Sequence, residues 1–265
     1  MTYEPVYTRR SNRDFVPSPI FLGILVVFAG SGFMAWNQVG KVGVDVFLFV
    51  VSGWLLSLCL HEYGHAVVAY FSGDRSVADK GYLQLNPLKY TNVLFSIVIP
   101  VVFIVLGGIG LPGGAVWIDH RHINSRVKDS LISATGPLAN IVLALIASVP
   151  FLIHDFSLAN VTDPHYGFWA GLALLAFFQV TAAILNLLPI PGVDGGGIVY
   201  PWLSREYQRA WNLFAPYGMI LLFALLWQSR ANELFFNFVF FFTDRLGLDG
   251  NLIYDGLQLM RFWSS

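Results

Sequence analysis

Within the stretch Cys59-Leu60-His61-Glu62-Tyr63-Gly64-His65, two histidines stand four residues apart and a glutamate follows the first. On a helix this spacing puts both imidazoles on one face, about 6 Å of rise apart. Two imidazoles so placed can share one zinc ion, and Glu62 can serve as general base toward the attacking water. For this composition the pattern arises by chance roughly a few times in a thousand chains. The flanking residues are apolar, and unpaired polar groups in such a setting cost several kcal/mol each. A hydrolytic zinc site takes three protein ligands and keeps one position open. Asp194 is the best candidate for the third. It follows an apolar run broken by Pro189 and Pro191 and precedes Gly195, Gly196 and Gly197. Such a break frees the backbone and lets a carboxylate turn into a cavity. Cys59, the single cysteine, forms no internal disulfide and reads as a small helix-packing residue.

The elements that must position these groups are membrane helices. The 265 residues are 56% hydrophobic and 12% charged, with a mean hydropathy of +0.63. Soluble domains carry about 25% charged residues, so the chain reads as an all-α polytopic membrane protein in a lipid bilayer. A net charge of −1 gives no reason to expect a nucleic-acid partner. Apolar runs fall at 18–37, 43–71, 91–110, 130–153, 168–190 and 213–229. They predict five to six crossings within a single domain, 1–265. The tail, 231–265, is rich in phenylalanine and reads as lipid-facing or interfacial. The first run lacks a convincing signal-peptidase site and is expected to stay as a span. Arg9, Arg10 and Arg13 precede it and place the N-terminus in the cytoplasm.

Parity then constrains the segment 91–110. His61, His65 and Asp194 lie near the C-terminal ends of their spans, so they share one depth only if those helices run in the same direction. Span 130–153 runs oppositely, so residues 72–129 must begin and end on one side. Charge agrees: both flanks of 91–110 carry Lys or Arg, whereas 154–167 carries none. The expectation is that 91–110 is re-entrant or a hairpin bent near Pro100, with residues 84 and 122 on the same side.

Three motifs now stand in order: His61-Glu62-Tyr63-Gly64-His65, Gly136-Pro137-Leu138-Ala139-Asn140, and Asn186-x-x-Pro189-x(4)-Asp194-Gly195. Together they resemble the site-2 protease family of intramembrane zinc metalloproteases, in particular its compact prokaryotic branch without PDZ or CBS domains. Leu85-Asn86-Pro87-Leu88-Lys89 is also similar to that branch. Residue 192 departs from it, since glycine stands where a second proline is common, and 111–120 follows the usual Pro-rich hairpin only loosely. The resemblance covers about residues 45–200, the expected catalytic core. It implies one zinc ion per chain held by His61, His65 and Asp194, with Glu62 as general base and acid. It also implies that Asn140 contacts substrate or stabilises the oxyanion, the alternative being a helix-packing Asn bonded to a neighbouring span, and that Asn186 braces the broken helix. The expected partner is a transmembrane protein substrate, cleaved within or near its membrane helix, in a prokaryotic inner membrane.

The remaining histidines are expected to be ordinary: His120 and His122, two apart on a polar stretch, an interfacial pair near substrate entry rather than a second metal site, and His154 and His165 surface residues. Two rival functions come from other classes. A metal-ion transporter would need ligands through several spans, whereas here they cluster at one depth. A non-proteolytic relative that only binds membrane helices would not need Glu62.

Overall fold

The computed structural model describes residues 12–90, 98, 101–102, 116–153 and 163–263. Among these residues there are helices and no strands. The first helix, α1 (Pro19–Asn37), starts where Ser18 Oγ accepts the Phe21 N–H and Pro19 occupies the first turn, a position that spares a hydrogen bond. It is followed by α2 (Val42–Ser72), α3 (Arg126–Ile153) and α4 (Tyr166–Leu187). These four are long and apolar enough to cross a membrane.

The C-terminal part is more broken than a single run at 213–229 would be. An amphipathic helix, α6 (Arg205–Phe214), and a short apolar one, α7 (Gly218–Trp227), flank Pro216. Proline lacks the amide that helix continuation needs. The stretches Arg205–Tyr217 and Ile220–Trp227 meet at 72° and make a fifth crossing only if counted as one broken span. Two further helices, α8 (Ser229–Arg245) and α9 (Gly250–Met260), complete the chain, with α5 (Asp194–Val199) the short helix that follows α4.

Helices α2 and α4 form the centre. Of its apolar window α4 buries 78% and α2 61%, against 33% for α3 and 17% for α1. Apolarity all round suits both packing against other helices and contact with lipid, so α1 and α3 can turn more of their apolar surface outward. The core is built from Val46, Val50 and Trp54 of α2 and Leu174, Phe178 and Leu185 of α4. On the tail, Phe235 and Val239 pack inward while Phe238 and Phe241 are exposed.

One end of this bundle collects the polar loops. Helix α2 ends at Gly73, whose φ of +133° favours glycine and where a Cβ would lie 2.6 Å from the His122 carbonyl oxygen. The next residue, Asp74, is fully buried; its Oδ1 accepts from Ser76 and its Oδ2 from the Asp119 amide at 2.7 Å. The Ser18 amide donates to the Gln84 carbonyl at 2.7 Å. Residues 84 and 122 therefore both sit at the end of the bundle where α1 begins and α2 ends. Apart from residues 98, 101 and 102, the segment 91–110 itself lies outside the described residues, as does His154.

Candidate metal centre

His61 and His65 face inward from α2 and are 6% and 5% exposed. Their Nε2 atoms lie 3.1 Å apart. Asp194, the first residue of α5, places Oδ2 at 3.1 Å from His61 Nε2 and Oδ1 at 3.3 Å from His65 Nε2. Zinc–nitrogen and zinc–oxygen bonds of about 2.0–2.1 Å give a tetrahedral edge of about 3.3–3.4 Å. The three contacts match that edge. Among the described residues this is the one group of three His, Cys, Asp or Glu placed to share an ion. Cys59 is buried on the same helix but is not part of it.

The hydrogen bonding around the group fits a cation at its centre. His61 Nδ1 meets Asn140 Oδ1 at 2.6 Å, and His65 Nδ1 meets the Ile132 carbonyl oxygen at 2.6 Å. Both outer nitrogens face acceptors and so carry the proton, which leaves the Nε2 lone pairs pointing at each other. Two lone pairs and a carboxylate at about 3 Å repel unless a cation lies between them. Asp194 Oδ2 is also buried without a hydrogen-bond partner. Outer-nitrogen partners of this kind orient metal-binding imidazoles.

Close backbone approach makes this convergence possible. A Cβ on Gly136 would sit 2.2 Å from His65 Nε2 and 2.5 Å from His61 Nε2. Beyond α4, Leu188 leaves the helix in extended backbone and Gly192 adopts a φ of +93°. The chain then doubles back into α5, where a Cβ on Gly195 would lie 2.3 Å from the Leu188 carbonyl oxygen and one on Gly196 2.1 Å from that of Ile190. The glycine run after Asp194 serves tight packing of α5 on the end of α4. The glycine at 192, unusual for the resemblance, supplies a left-handed turn.

Glu62 is 2% exposed, and its Oε2 accepts the Val116 amide at 3.0 Å. Asn140, expected to face substrate, spends its amide inside the protein: Oδ1 on His61, Nδ2 donating to Gln179 Oε1 at 2.8 Å. Asn186 is buried in the last turn of α4. His120 and His122 do not converge on a second site. The first pairs with Asp129 at 2.9 Å and the second with Asp119 at 3.4 Å. His165 is no plain surface residue: its ring stacks on Trp36 at 3.8 Å and its Nδ1 bonds the Trp36 carbonyl, joining the end of α1 to the start of α4.

A model of peptidase family M50 matches residues 49–225. The chain belongs to peptidase family M50. This is the site-2 protease family of intramembrane zinc metalloproteases. A protein of Mycolicibacterium smegmatis that carries the name zinc metalloprotease Rip2 is 45% identical over 253 residues, covering 94% of this chain and 95% of its own. Its namesake from Mycobacterium tuberculosis is 42% identical over 255 residues, with 94% and 95% covered. A Bacillus subtilis protein named zinc metalloprotease YwhC is 27% identical over 185 residues, 67% of this chain and 79% of its own. No solved structure matches the chain. The M50 match runs through α2, α3, α4 and α5, the four helices that meet at His61, His65, Asn140 and Asp194. The activity is that of an integral membrane zinc metalloprotease, and the three converging side chains are a group able to hold its ion.

Three contributors escaped the sequence reading, Gln179, Ser57 and the Ile132 carbonyl, and Gly136 stood there in a motif but without a role. Gln179 and Ser57 carried a signal, because a polar side chain inside an apolar span must find a partner. The Ile132 carbonyl carried none, since every residue has one.

Proposed function

We propose that His61, His65 and Asp194 are the zinc ligands, that Glu62 is the general base and acid, and that the substrate is a transmembrane segment of another protein. The observation that carries this reading is the convergence of two Nε2 atoms and one carboxylate at 3.1–3.3 Å, one residue away from a buried glutamate. When bound, zinc acidifies water toward a pKa of about 7 and polarises the scissile carbonyl. Glu62 takes the proton from the attacking water and later returns it to the leaving amine. The Val116 amide fixes one oxygen of Glu62, so the other is directed to that work.

A peptide bond inside a membrane helix is shielded by its own hydrogen bonds. The substrate therefore unwinds locally, most readily near helix-breaking residues, and the polar segments 72–90 and 111–129 pair with its freed backbone. The ligand histidines lie in the second half of α2. With Arg9, Arg10 and Arg13 holding the N-terminus in the cytoplasm of a prokaryotic inner membrane, that depth is near the cytoplasmic face and open to water. The whole chain, 1–265, acts as one domain whose catalytic core is about 45–200. The test compares membrane-protein fragments in cells carrying wild type or Glu62→Gln. Fragments from transmembrane segments should vanish in the variant at equal protein level. Their persistence would reject the mechanism.

A further inference from the structure

A chain of buried hydrogen bonds leads away from His61 through three helices. Asn140 Nδ2 donates to Gln179 Oε1 at 2.8 Å, Gln179 Nε2 donates to Ser57 Oγ at 2.9 Å, and Ser57 Oγ donates to the Trp54 carbonyl at 2.7 Å. Asn140, Gln179 and Ser57 are 4%, 2% and 5% exposed. The far end fixes the direction of every link. A carbonyl oxygen only accepts, so the Ser57 hydroxyl must donate to Trp54 and offer its lone pairs to Gln179. Gln179 must then present its NH₂ to Ser57 and its oxygen to Asn140. Asn140 must present its NH₂ to Gln179 and its oxygen to His61. His61 must therefore keep its proton on Nδ1 and its lone pair on Nε2, aimed at Asp194 and His65.

From this we infer that Gln179 and Ser57 are positioning residues that set the tautomer of His61 through the orientation of the Asn140 amide. The inference rests on the ligand assignment proposed above. Without Gln179, the Asn140 amide is free to flip. Its NH₂ would then face His61 Nδ1, push the proton to Nε2 and oppose metal binding. The hydrogen bonds of both residues go to Asn140, to each other and to the Trp54 carbonyl, none to His61, His65 or Asp194.

The experiment measures zinc affinity of the detergent-solubilised full chain by competition with a chromophoric chelator. Gln179→Leu and Ser57→Ala should each weaken zinc about tenfold, the low end for loss of an outer partner. Ser57→Thr keeps a hydroxyl able to bond back to the helix and should stay within about twofold of wild type. Thr181→Val removes a buried hydroxyl of α4 that bonds only the Phe177 carbonyl, and should leave zinc affinity unchanged. In the Co²⁺-loaded protein, the visible absorption band should shift in Gln179→Leu and not in Thr181→Val. Wild-type affinity in both Gln179→Leu and Ser57→Ala would overturn the inference, as would an equal loss in Thr181→Val. Should Gln179→Leu fail to fold, Ser57→Ala against Ser57→Thr decides alone. His61→Ala separates the two claims. Wild-type zinc affinity there refutes the ligand assignment, whereas lost zinc there with normal zinc in Gln179→Leu refutes only the relay.

Discussion

Replacing Gly136 with alanine adds one methyl group at the point where the two imidazoles meet. Its Cβ would stand 2.2 Å from His65 Nε2 and 2.5 Å from His61 Nε2, against an ordinary contact of 3.4–4 Å. At least one ring must retreat by about 1 Å, whereas metal–ligand distances tolerate about 0.2 Å. Retreat is opposed from behind, because both Nδ1 atoms are held at 2.6 Å. At a reacting centre a misplacement of about 1 Å costs about a hundredfold in rate, or about 2.7 kcal/mol, and a displaced metal ligand is expected to lose at least as much affinity. The same substitution favours the helix itself, since alanine exceeds glycine in a helix interior by about 0.8–1 kcal/mol. Gly136→Ala should therefore remain helical and yet bind zinc at least about a hundredfold more weakly. The assay is zinc content by mass spectrometry after dialysis against graded chelator, with circular dichroism on the same samples. Wild-type zinc retention and full proteolysis would refute the placement of Gly136 against the metal-binding atoms.

Other outcomes follow from the same geometry. Glu62→Gln should keep zinc and lose about 10²–10⁴-fold in peptide cleavage, measured on a purified membrane substrate. Asp194→Asn should lower zinc affinity, read by the same chelator competition, because it removes the anionic ligand. Gly256→Ala would place a Cβ 2.2 Å from the Ala170 carbonyl oxygen and lift α9 off α4. It should lower thermal stability by about 1–3 kcal/mol while leaving zinc affinity of the folded protein intact. The exposed Arg121 guanidinium holds the Asp119 carboxyl well below its ordinary value of 3.8 through two side-chain bonds. A carboxylate depressed in the folded state adds stability above its unfolded value and loses it as pH falls through the folded one. Protease protection of the loop around Asp119 should stay level from pH 7 to 5 and fall only below about pH 4.

Chemistry was more legible in the sequence than packing was. The His61–His65 spacing is a property of one helix, so it survives without tertiary information. Asp194 was reachable because two prolines and a glycine run mark a broken span, and parity then fixed which helices run together. The partners of Asn140 were not legible. Helices α2 and α4 are apolar around their whole circumference, so no periodicity says which residues of one face the other. The motif resemblance placed Asn140 at the substrate, while the fold turns its amide to His61 and Gln179. The glycines after Asp194 looked like freedom for a bend, but they are there because α5 leaves no room for a Cβ. Among the C-terminal runs, Pro216 divided what composition alone joined into one span.

The central claim is that two imidazoles and one carboxylate, from two distant parts of the chain, hold a single zinc ion inside the bundle. X-ray absorption at the zinc edge, on the loaded protein and on Asp194→Asn, tests this most directly. The expected spectrum has only nitrogen and oxygen neighbours at about 2.0–2.1 Å with the signature of two imidazoles, and it changes in the variant. A sulfur neighbour at about 2.3 Å, which would bring in Cys59, or a spectrum unaltered by Asp194→Asn, would contradict it.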